Sequence, residues 1–166
     1  MKLPILFLFF IITLHSSGQD ATSQIKSKWL DLKTQIQNRS KVVDALTNTV
    51  LKSKVDKKKV DKLKRASADL SSYIDPLNTM DSTSISLTEL RNIKLILAIQ
   101  DVLIEIENQP TLKGTQKFAN LQGQLEGCEN RIAQSVNSYN DICYKYKRAD
   151  LIFHRPKQKE STEIKF

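Results

Sequence analysis

The chain has few of the residues that tight turns, metal binding and acid–base chemistry require. Four glycines and four prolines in 166 residues are too few for the many turns of a strand-rich fold. Of the two histidines, His15 lies near the front and His154 near the end, so imidazole-based metal ligation and proton transfer lack their usual groups. No Gly-rich phosphate loop, G-x-S-x-G elbow or CxxC pair occurs. Glu105 and Glu107 stand two apart, which on a helix turns them in different directions. The expectation is a non-catalytic protein with no catalytic residues, no metal and no cofactor.

Two cysteines are present, Cys128 and Cys143. On one continuous helix their Cα atoms stand about 22 Å apart, whereas a disulfide tolerates no more than about 7 Å. Both are therefore expected as free thiols, Cys128 inside and Cys143 just off the inner stripe, where it is open to reaction.

What the chain does carry is positive charge and helix formers. Its formal net charge is +8. Eight basic residues fall within residues 52–65 against Asp56 and Asp61, and a second cluster spans residues 145–159. Lys57, Lys58, Lys59, Lys62, Lys64 and Arg65 make the denser patch, suited to anionic lipid or a wall polymer. The plainer reading is a solvated helix face. No aromatic residues interleave with these lysines, which argues against nucleic acid.

The front reads as a targeting segment. Met1 and Lys2 precede an apolar run over residues 3–14, and Ser16 and Gly18 are small residues spaced for signal-peptidase cleavage before Gln19. As a helix, that run reaches only about 18 Å, short of the roughly 30 Å hydrocarbon core. Two readings stay open: a signal peptide over residues 1–18, or an uncleaved anchor at residues 3–14. Both place the body outside the cytoplasm, periplasmic or at the cell surface.

Spacing then predicts four helices. Ile25, Trp29, Leu32, Ile36, Arg39, Val43, Leu46 and Val50 alternate four and three apart, one apolar stripe interrupted by a single arginine. Thr22 or Ser23 is the expected cap. A second helix over residues 56–74 carries Val60, Leu63, Leu70 and Ile74, and ends before Pro76. The pair Ser86 and Glu89 fits a capping box opening a third helix, with Leu90, Ile93, Leu97, Leu103, Ile104 and Ile106 as its apolar positions. The fourth, over residues 115–149, repeats Phe118, Leu125, Ile132, Tyr139 and Tyr146 every seven residues. Each helix has an apolar face to bury. The expected architecture is all-α: an antiparallel up-down-up-down four-helix bundle with long first and last helices. It occupies residues 19–153, followed by a basic mobile tail at 154–166.

One stretch carries more than periodicity. Phe118, Leu121-Gln122, Leu125-Glu126-Gly127 and Glu129-Asn130-Arg131-Ile132 follow in order, with Tyr139-Asn140 downstream. This resembles the signature of the LemA family. Trp29 and Asn38-Arg39 followed by Val42, Val43 and Leu46 give a weaker echo of it, although the family usually shows Asp, Pro and Asn where this chain has Lys41, Asp44 and Ala45. The resemblance implies a helical bundle displayed on the outer side of a bacterial membrane, and no assigned activity.

Arg39 sits at a core position, and an unpaired buried guanidinium costs roughly 3–5 kcal/mol. The first and last helices of such a bundle are neighbours, so Arg39 is expected to pair with Glu129 or Glu126. Gly123 and Gly127 stand four apart inside a helix and would admit a close neighbour. Asn130, Arg131 and Asn140 are the candidates for an exposed face that binds an envelope protein. Self-assembly through Cys143 and the aromatic stripe is a further reading that leaves the oligomeric state open.

Overall fold

The computed structural model describes residues 5–155, with side chains from residue 20. The expected signal or anchor segment falls outside the described side chains, and residues 156–166 of the expected tail lie outside the described residues altogether. Among the described residues every regular element is helical. These are α1 (Ile5–Val50), α2 (Lys57–Ile74), α3 (Ser82–Glu107), the single turn α4 (Pro110–Lys113) and α5 (Gln116–Lys145). A 3-10 turn, Ala149–Leu151, follows. Among the described residues, no helix is long and apolar enough to cross a membrane.

The helix starts follow local chemistry. The Asp56 carboxylate accepts the Lys58 amide at the head of α2, and Asp81 accepts that of Ser84 at the head of α3. Thr115 accepts the Phe118 amide at the head of α5. Each side-chain oxygen satisfies a backbone N–H that lacks a helical partner. Two expected starts are corrected. α1 runs straight through Thr22 and Ser23, so neither caps it. Ser86 and Glu89 lie one turn inside α3, where the Ser86 hydroxyl donates to the Ser82 carbonyl instead.

The α1 stripe is buried at all eight expected positions, Arg39 included. α2 buries Val60, Leu63, Ser67, Leu70 and Ile74, and α5 buries Phe118, Leu125, Ile132 and Tyr139. Of the apolar positions expected in α3, Ile106 is buried and Leu103 packs against the core, but the inward placement expected of Leu90, Leu97 and Ile104 is corrected. Ile85, Thr88, Asn92, Leu95, Ala98, Ile99, Val102 and Ile106 turn inward, while Leu90, Leu97 and Ile104 are about half exposed. Leucine and isoleucine occur all around this helix, and the face turned inward is the one that brings Asn92 to Arg39.

α1 packs most extensively against α5, α2 against α3, and α1 also against α2. Contacts between the paired helices run in opposite order along the chain. From α2 to α3 they link Lys59 to Glu105, Lys62 to Asp101 and Asp69 to Arg91. From α1 to α5 they link Asp20 to Tyr146, Trp29 to Tyr139 and Arg39 to Glu129. α1 also grips the loop after α2: Trp29 Nε1 donates to the Leu77 carbonyl, and the buried Lys33 ammonium donates to Asp75 O and Leu77 O.

The last helix stops sooner than its heptads suggest. Lys147 adopts φ 56°, and its amide donates to Tyr144 O while that of Arg148 donates to Cys143 O. This is the Schellman arrangement, which usually recruits glycine at the left-handed position. The reversal sends residues 149–155 back along α5.

Candidate functional site

The polar residues of the signature on α5, and Arg39 facing them, divide into an inward and an outward set. Arg39 is fully buried on α1. Its Nη1 donates to Glu129 Oε1 of α5 at 2.8 Å, and its Nη2 donates to Asn92 Oδ1 of α3. One guanidinium thus joins three helices, and its charge is matched in part by a carboxylate that keeps 27% side-chain exposure. Of the two partners expected for Arg39, the structure selects Glu129. Glu126, half-buried three residues earlier, makes no polar contact among the described residues. Asn92 is the participant that spacing alone misses, because a polar residue in an Ile/Leu-rich helix reads as surface.

A strap closes over this cluster. Leu151, Ile152 and Phe153 are buried. Phe153 exchanges two backbone hydrogen bonds with the Asn140 carboxamide, each 2.9 Å. The His154 amide donates to Glu89 Oε1 of α3, and Arg155 Nη2 stands 3.8 Å from Glu129 Oε2. α3 and α5 approach each other far less closely than α1 and α5 do, and the strap bridges them. Three expectations are corrected here. Asn140 is committed to the strap and does not belong to an open binding face. Glu89 anchors the strap. His154 and Arg155, expected in a mobile tail, are held against α3 and α5.

Cys143 is corrected as well. It is fully buried, with its thiol 3.9 Å from Leu151 O. Burial pushes its pKa upward, as it does that of the Tyr139 phenol beside it. A thiol kept protonated and away from solvent is a poor nucleophile, so it offers no route to crosslinked assembly. Cys128 is buried and also free.

The outward set lies on the far side of α5. Asn130 and Arg131 are exposed. The Arg131 Nη2 contacts only Cys128 Sγ of its own helix, and Asn130 has no side-chain partner among the described residues. A Cβ on Gly127 would stand 3.3 Å from Arg131 Nη1, whereas one on Gly123 would meet open space. Gly127 thus lets the guanidinium lie flat along the helix, and Gly123 leaves a smooth surface one turn earlier.

The basic patch separates in the same way. Lys59 bridges to Glu105 at 2.5 Å and Lys62 to Asp101 at 2.7 Å. These two lysines are corrected from free patch residues to ties between α2 and α3. Lys57, Lys58, Lys64 and Arg65 have no acidic partner among the described residues and are exposed. Their seven-residue spacing keeps them on one side of the helix.

Among the described residues, no group of three or more His, Cys, Asp or Glu is placed to hold a metal ion. No curated protein matches the chain at a significant level. The family model of the LemA family matches residues 28–155, a span that holds Arg39, Asn92, Glu129 and the whole strap, and the chain belongs to that family.

Proposed function

We propose that α1, α2, α3 and α5 form an antiparallel four-helix bundle serving as a non-catalytic protein-interaction module of the bacterial envelope. Its contact face is the outward strip of α5 at Asn130 and Arg131. The opposite order of contacts along each helix pair supports the antiparallel arrangement. The short basic start and apolar run at the front of the sequence support export.

The observation that carries the reading is the division of adjacent motif residues. Glu129 is committed to the interior by Arg39, while Asn130 and Arg131 beside it face water with no partner on another element. Polar side chains with no partner on another element, on a strip left open at Gly123, suit a docking helix. In-cell crosslinking of the envelope followed by mass spectrometry tests this. The Asn130→Ala, Arg131→Ala double variant is expected to lose one reproducible partner while its thermal melt stays unchanged. Crosslinks identical to the parent's would remove the assignment of this face.

A second reading rests on Lys57, Lys58, Lys64 and Arg65, a cationic edge turned to solvent without intrachain neutralisation. It fits a membrane surface or wall polymer. Sedimentation with anionic vesicles or wall fragments that is insensitive to neutralising these four residues counts against it.

A further inference from the structure

The outer side of α3 carries a stripe that no described residue covers. Leu90, Leu97 and Ile104 stand seven residues apart and are 48%, 51% and 47% exposed. Ile93, partly buried, falls between the first two. This periodicity is that of a helix–helix seam. It is separate from the inner face of α3, which is already filled, and from the α5 strip. We infer that this stripe binds a second copy of this chain, α3 against α3, antiparallel and centred on Leu97.

Charge along the stripe selects both the occupant and its direction. Lys94 is exposed and has no acidic partner among the described residues. Asp101, one heptad on, accepts from Lys62 at Oδ2 and keeps Oδ1 unengaged among the described residues. Two copies crossing at Leu97 set Leu90 against Ile104 and Lys94 beside Asp101 of the other copy, twice by symmetry. In a parallel pairing the flank carrying Lys94 and Asp101 would lie on opposite sides of the seam in the two copies, so this pair could not form. A lipid surface is the poorer occupant, since an adsorbing helix flanks its apolar face with basic residues, and this stripe ends beside Asp101 and Glu107. The seam is short, in the class that buries less than about 1,200 Å² in total, so association in the micromolar range is expected.

The full chain with Leu97→Cys tests the geometry, because Cys128 and Cys143 are buried and silent. Oxidation is expected to give a disulfide dimer from Leu97→Cys and none from Leu90→Cys. In the antiparallel seam the two copies of residue 90 lie about 21 Å apart along the axis. Mixing Leu90→Cys with Ile104→Cys chains is expected to restore the crosslink. In sedimentation, Leu97→Glu is expected to abolish the dimer with helical circular dichroism unchanged. Should that variant fail to fold, Lys94→Glu alters a side chain with no intrachain tie and is expected to weaken association several-fold. A chain that stays monomeric at high concentration overturns the inference. So does a dimer that survives both Leu97→Glu and Lys94→Glu, as one formed by the front segment would, or a Leu90→Cys chain that crosslinks to itself as readily as Leu97→Cys.

Discussion

The seam between α1 and α5 and the seam between α2 and α3 use charge in opposite ways. In the first, Arg39 is sealed from water and meets Glu129 and Asn92 inside. In the second, Lys59, Lys62 and Arg91 reach acidic partners along a wet rim, and the Arg91 guanidinium lies 4.1 Å over the Tyr73 ring. A buried guanidinium admits few arrangements, since any shift in helix register strands it. Rim pairs can re-form with a neighbour. The first seam therefore fixes how the helices align, while the second owes its cohesion to Val60, Leu63, Leu70 and the inner residues of α3.

Glu129→Ala should break the first seam most severely. It leaves Arg39 with Asn92 alone, at a cost of about 3–5 kcal/mol, read in urea unfolding from the single tryptophan, Trp29. Arg39→Met removes the charge together with its burial and should cost less. If Glu129→Ala costs no more than a rim substitution, the contrast between the seams disappears. Phe153→Ala comes next. It empties a buried aromatic site in the strap and should cost about 3 kcal/mol, with faster amide exchange in both α3 and α5.

Alkaline pH tests the interior of the first seam without mutation. Burial raises the Tyr139 phenol and Cys143 thiol above their ordinary values of 10.0 and 9.0. The folded chain then holds protons that the unfolded chain releases. The contribution of these two groups is constant below about pH 8, and stability falls as pH rises past these values, by about 1.4 kcal/mol per pH unit for each withheld proton. A melting temperature constant from pH 8 to 11 would show that neither group stays protonated in the fold.

Lys147→Gly should stabilise the α5 end by about 1 kcal/mol, because φ 56° is strained for a side chain and free for glycine. Lys62→Ala should have the smallest effect, under about 1 kcal/mol and fading in high salt. A larger, salt-resistant loss would place the Lys62–Asp101 pair with Arg39 in importance.

These regions also differ in how far they could be read from sequence. The α1 stripe was legible because its eight positions keep one four–three spacing throughout, and the arginine within it demanded an acidic partner. The α5 heptads were legible for the same reason. α3 was not, since Leu90, Ile93, Leu97 and Ile104 supply an equally good stripe on the side that faces water. The deciding residue, Asn92, is recognisable only once Arg39 is known to lie opposite. The strap was illegible too. Residues 149–155 have no period, and a carboxamide on α5 holds their backbone, a tie that leaves no mark on hydropathy. Among motif residues, burial separated Glu129 from Asn130 although they are adjacent in the chain.

The placement of the strap has a consequence for how the molecule is made. Leu151, Ile152 and Phe153, among the last described residues, fill the gap between α3 and α5. During synthesis every helix emerges before the segment that seals them. A nascent chain therefore remains an unlocked assembly until residues 151–153 have been made, and truncation before residue 151 would leave that interior open to water.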